Sequence, residues 1–120
     1  MTRVGYFEGT DPLLLAKLAA DGIETLPLSN SWDNHGKYVN HLISGEVNVV
    51  VGYLHKVIPA ERERMKPADL LFACKNFDIP VILIAPAALH DKAKRVLGDV
   101  GTNVHIASPE ELEAQVRKYL

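Results

Sequence analysis

Cysteine is almost missing from this chain: Cys74 stands alone, so no intrachain disulfide can form and packing must hold the fold together. Long apolar runs are missing too. Val81-Ile82-Leu83-Ile84-Ala85 is typical of the longest, far short of the roughly 20 residues that a membrane-spanning helix needs, so no membrane partner is expected. Neither sign of charge dominates. Thirteen basic residues face 15 acidic ones for a net charge of -2, whereas a duplex-binding surface carries a strong basic excess, so nucleic acid is not an expected partner. Repeats, low-complexity segments and linkers are absent. Met1-Thr2-Arg3 runs straight into a strand-like stretch without the apolar region of a signal peptide, which predicts a cytoplasmic location.

What remains is ordinary globular material. The chain has 120 residues, 48% hydrophobic and 23% charged, which predicts one domain spanning residues 1–120. Short β-branched runs alternate with amphipathic stretches, the pattern of βαβ units building a parallel sheet. Strands are predicted over 3–7, 24–28, 47–54, 80–85 and 103–107. Between them, Leu14, Leu15, Leu18 and Ala19 recur at helical spacing after Thr10 or Asp11 as cap and Pro12 in the first turn. Tyr38, Val39, Leu42 and Ile43 predict a short helix ending near Gly45. Leu70, Ala73, Cys74 and Phe77 predict another, and Leu89, Ala93, Val96, Leu97 and Val100 a fourth. Ser108 with Glu111 makes a capping box for the last one. The predicted architecture is α/β: a three-layer open sheet of five parallel strands in the order 2-1-3-4-5, flavodoxin-like.

That order of elements is shared by two families. Response-regulator receivers need a phospho-accepting aspartate after the third strand, a hydroxyl after the fourth and a lysine after the fifth. Here those positions read Gly52-Tyr53, Ala85-Pro86 and Ala107-Ser108, which excludes phosphoreceiver chemistry. The stretch Ala68-Asp69-Leu70-Leu71-Phe72-Ala73 followed by Ile79-Pro80-Val81 resembles the corresponding helix and strand of nucleoside 2-deoxyribosyltransferase-like and Toll/interleukin-receptor-like domains. In those families a glutamate on that helix acts on an N-glycosidic bond. Leu70 stands about where the acid belongs and Asp69 lies one residue earlier, a rotation of roughly 100° on a helix. The resemblance therefore implies the fold and not the catalytic residue.

In an open α/β sheet, ligands bind beyond the carboxyl ends of the strands where the strand order reverses, here between the first and third predicted strands. Three loops meet that description. Glu8-Gly9-Thr10-Asp11 offers a glycine for close approach and a helix start for an anion, with Glu8, Gly9 and Thr10 as ligand-binding candidates. Ser31-Trp32-Asp33-Asn34-His35 spends the only tryptophan in a connection, where Trp32 could stack a planar ligand and His35 and Asp33 bond its edge. Gly52-Tyr53-Leu54-His55-Lys56 ends the third strand. Gly52 there is a candidate for close ligand approach, and His55 is the candidate for proton transfer, with Asp33 as its acidic counterpart. Lys56, Arg62, Arg64 and Lys66 lie in a charged stretch that reads as a solvated turn laced by local ion pairs.

Each candidate has a plainer role as cap, turn or core residue. No metal site is expected, since His35, His55 and His90 lack close ligand spacing, and the spacing names no cofactor. The functional expectation is a domain that binds an anionic or nucleotide-like small molecule. Alternatives are a hydrolase or transferase of nucleoside-like N-glycosidic substrates, or a structural module without a ligand. A homodimer is expected, with Trp32, Tyr38 or Phe77 as anchors.

Overall fold

A computed structural model describes residues 2–120, with Glu61 through its backbone alone. β1 (Arg3–Phe7) leads to α1 (Pro12–Ala20), then β2 (Glu24–Ser29), β3 (Lys37–Tyr38) and β4 (Val49–Tyr53). α2 (Pro67–Leu70) and α3 (Phe72–Asn76) precede β5 (Val81–Ile84). α4 (His90–Leu97) precedes β6 (Val104–Ala107), and α5 (Leu112–Arg117) follows. All six strands join one sheet in the order β3-β2-β1-β4-β5-β6, and every pairing is parallel.

The expected five strands in the order 2-1-3-4-5 are thus corrected to six in the order 3-2-1-4-5-6. The added strand lies at Lys37–Tyr38, where the apolar spacing pointed to the start of a helix. Only a 3₁₀ turn forms there, over Val39–His41. A repeat of three suffices to bury Val39 and Leu42 together, while Ile43 is left 61% exposed, so no fourth-residue partner draws the chain into an α-helix. A parallel neighbour normally needs a long crossover. Here Lys37 and Tyr38 pair with Leu28 and Ser29, the last two residues of β2, so a short loop only has to step sideways. Gly36 makes that step with φ +81°, and a Cβ there would collide with the Pro27 carbonyl.

Two apolar layers cover the sheet. Val4, Val49, Val51, Ile82 and Ile84 face Leu14 and Leu18 of α1 and Leu112 and Val116 of α5. Phe7, Val50, Val81 and Leu83 face Leu70, Leu71, Cys74 and Leu97 on the other side. Val49–Val51 of β4 and all of β5 therefore have no polar face, which is why these stretches are apolar at every position. The helix expected as one piece around Leu70 to Phe77 breaks at Leu71. Asn40 bridges the break: it donates to the Asp69 carbonyl at 2.7 Å and accepts from the Ala73 N–H at 2.9 Å. Those groups would otherwise lack a helical partner, so the single side chain stabilises two helix ends.

Several carboxylates are held ionised by their neighbours. The Lys37 ammonium, 2.6 Å away, holds Glu46 below the usual carboxylate range, helped by the Ile43 N–H. The Ser108 hydroxyl does the same for Glu111, and Arg117 and then Lys17 for Glu113. A carboxylate whose folded pKa is lowered contributes stability that is present above its unfolded pKa and disappears as pH falls through the folded value. Thermal melts should therefore be level from neutrality down to about pH 5 and fall progressively below the ordinary value of 4.5. Glu46→Gln should lower the plateau and make the acid limb shallower. An unchanged limb in that variant would show that the Lys37 pairing contributes nothing.

Candidate functional site

The strand order reverses between β1 and β4, and the carboxyl ends of β1, β2 and β4 open to the same end of the sheet. The loop after β2 is built by its own short polar side chains. Asn30 is fully buried, accepts from the Trp32 N–H at 3.1 Å and donates to the Lys56 carbonyl at 3.0 Å. It thereby ties the β2 loop to the 3₁₀ turn Leu54–Val57 that follows β4. Ser29 donates from its hydroxyl to Asp33 Oδ1 at 3.1 Å and accepts from the Ser31 N–H at 3.1 Å, while the His35 N–H also reaches Asp33 Oδ1 at 3.2 Å. Ser31 and Asn34 take positive φ values of 82° and 53°, a cost that these side-chain bonds offset.

The result is a charged group at the centre of three loops. Lys56 Nζ lies 3.8 Å from Glu8 Oε2 of the first loop and 3.8 Å from Asp33 Oδ2 of the second. Its side chain is only 16% exposed, and that of Asp33 only 10%, against 51% for Glu8. Both separations exceed a hydrogen bond, and buried Asp33 Oδ2 has no hydrogen-bond partner. A buried carboxylate oxygen is normally satisfied, which sets Asp33 Oδ2 apart among the described residues.

The candidates from the sequence divide sharply around this centre. Glu8, Gly9 and Asp33 are brought together, with Gly9 at φ +86° leaving its missing Cβ position 4.0 Å from Lys56 Cε. Thr10 is not aimed at the site. It is 5% exposed, and its hydroxyl donates to the Phe7 carbonyl at 2.7 Å to close the turn. Asp11 is the cap of α1, accepting from the Leu13 N–H at 2.9 Å, so the helix start already carries a negative charge. Trp32 is half-buried and packs on the core cluster that contains Phe7 and Leu28. His35 donates from Nδ1–H to the Leu28 carbonyl at 3.1 Å and meets Tyr6 edge-to-face at 5.4 Å, leaving Nε2 for other use. His55 is exposed, with its ring 6.1 Å from that of Tyr53. Asp33 is met by Lys56, the residue after it.

Ser29 and Asn30 are the members that sequence reasoning passes over, whereas Lys56 stands in the third of the expected loops but reads there as part of a solvated turn. Lys56 was hidden in a run of exposed charges, and of Lys56, Arg62 and Lys66 it is the one turned inward. Ser29 and Asn30 carried a usable signal, since short polar side chains directly after an apolar strand bond to nearby backbone. Asp69, near the position of the deoxyribosyltransferase acid, accepts from the Lys66 N–H at 2.9 Å and caps α2.

Elsewhere, burial pushes the Cys74 thiol up to about 12, and His90 donates from Nε2 to the Ala85 carbonyl at 2.9 Å. Among the described residues no three His, Cys, Asp or Glu side chains gather as a metal would need. Two cavities lie away from the three loops: a groove of 530 Å³ along β6 and one of 190 Å³ between the starts of α1 and α5. No known protein-family model matches this chain, and no curated protein is significantly similar to it.

Gly52 serves the core. It is buried, and a Cβ would come 2.6 Å from Phe7 Cδ2, so the ring fills the space that was expected to admit a ligand. Gly52→Ala should lower stability by about 1–3 kcal/mol through overpacking, read by urea unfolding. Wild-type stability in that variant would mean that Phe7 can move aside.

Proposed function

We propose that this chain is a binding domain for a small anionic or nucleotide-like molecule, held at the carboxyl end of the sheet by the loops after β1, β2 and β4. The observation that carries the reading is Lys56: an ammonium of low exposure suspended between two carboxylates at 3.8 Å, too far to bond either. Ion pairs kept at such a distance leave room for a stronger acceptor. An incoming phosphate or carboxylate bonds the Lys56 ammonium directly, and Glu8, half-exposed next to Gly9, is the arm that yields. Asp33 is held by Ser29 and the His35 N–H and keeps its place, with its buried Oδ2 orienting the Lys56 ammonium. Position supports the reading as well. Without its two-residue edge strand the sheet has the flavodoxin-like order, whose ligands sit where the order reverses.

Hydrolysis or transfer at an N-glycosidic bond is the second reading, favoured by Asp33 Oδ2, which has no bond to give up before acting as a base or nucleophile.

Titration calorimetry with inorganic phosphate, a nucleoside monophosphate and the matching nucleoside separates these readings. Anion binding should weaken about tenfold or more in Lys56→Met and strengthen severalfold in Glu8→Gln, which removes the competing carboxylate. Weaker binding in Glu8→Gln would overturn the role assigned to Glu8. Release of free base from the nucleoside, lost in Asp33→Asn, would favour the second reading.

A further inference from the structure

The longest unpaired backbone in the sheet lies at the opposite edge from β3. β6 pairs only with β5, and the Val81 and Ala85 N–H groups donate to the Asn103 and Ala107 carbonyls at 2.9 and 3.0 Å. In a parallel ladder alternate residues turn their N–H and C=O to opposite sides. Those of Val104 and Ile106 therefore point away from β5 into open space. All four residues of β6 line the 530 Å³ groove, with Leu97 and Val100 on one side and Gln115 on the other. Its walls mix apolar side chains with His105 and Gln115, and among the described residues its one ammonium is that of Lys94 and no carboxylate lines it.

We propose that this edge receives an extended peptide segment of a partner protein as an added strand, apolar at alternate positions and carrying a carboxylate that meets Lys94. Three features favour such an occupant. Outward N–H and C=O groups at two alternate residues are what a strand needs to register, and a small apolar molecule would leave them unpaired. The groove runs along the strand and not across it, so it matches an extended backbone. Lys94 selects an acidic side chain, because a carboxylate there gains a charge-assisted bond and no carboxylate of the described residues lines the groove. A second copy of this chain is the poorer fit. Antiparallel pairing of two β6 edges about a two-fold axis normal to the sheet would put both α4 helices on one face, setting Lys94 of each copy against the other's basic α4 surface, where Lys92 and Arg95 are also exposed.

The test uses the whole protein and a fluorescein-labelled, end-capped heptapeptide alternating valine with threonine and bearing one central glutamate. Fluorescence polarisation should give saturable binding, with amide shifts in the NMR spectrum concentrated at residues 104–107. Methylating alternate peptide nitrogens, which removes only the strand pairing, should weaken binding about tenfold or more. Lys94→Glu, on an exposed position that leaves the fold intact, should do likewise for this peptide and improve binding of its lysine-for-glutamate counterpart. Val104→Pro removes one outward N–H and none of the bonds to β5, so it should also weaken binding, and Val104→Ala, which keeps that N–H while losing the same packing on the core, should bind more tightly than the proline variant. Equal affinity for the methylated peptide, shifts centred away from β6, or no saturation at millimolar peptide would overturn the proposal. So would a dimer in sedimentation equilibrium whose formation protects the β6 amides from exchange.

Discussion

The carboxyl ends of β1 and β4 are locked together by one close contact, and the candidate site is assembled on it. Phe7 lies against the bare face of Gly52, on the rung after Tyr6 and Val51. No larger residue fits there, because a Cβ would stand 2.6 Å from the ring. With those strand ends fixed at that spacing, the residues that follow have little freedom. Glu8 and Gly9 leave β1 beside the turn that leaves β4, and Lys56 comes to rest between Glu8 and the β2 loop. Buried Asn30 completes the arrangement by joining that loop to the Lys56 carbonyl. Core packing and site geometry are in this way one constraint, so a substitution at Gly52 disturbs both.

The charges around Lys56 are tuned by distance. Two carboxylates at hydrogen-bond range would hold the ammonium firmly and leave nothing for a ligand. At 3.8 Å they orient it without satisfying its hydrogen bonds. Burial of Asp33 matters here, since water cannot complete its second oxygen and the desolvation of that oxygen is offset only by Lys56. The start of α1 contributes less than its position suggests, because the Asp11 carboxylate already lies on it. Among the described residues of the three loops, Lys56 is therefore the cation that faces both carboxylates.

The two ends of the sheet solve the problem of an open edge differently. β3 is only two residues long and presents little free backbone. β6 offers four residues, carries apolar side chains and is uncovered, a combination that invites pairing unless a partner takes it up. Lys94 of α4 lines the groove beside that edge.

The amino-acid sequence by itself determined the layered α/β architecture, the five longer strands and their mutual order, and the burial of Val49–Val51 and of β5. These follow from periodicity and apolar runs, which are properties of neighbours along the chain. It also placed Glu8, Gly9 and Asp33 on loops that converge. Only the tertiary structure decided the sixth strand, because pairing at Lys37–Tyr38 depends on the position of Leu28 and Ser29 and on a glycine pressed against Pro27. Only the tertiary structure separated Lys56 from the other cations of its segment, gave Thr10 to the Phe7 carbonyl, and spent Gly52 on a phenyl ring. The reason is common to all of these: a group's partners are whichever atoms the fold brings to it, near or far along the chain, and neither composition nor spacing records which of them it will meet.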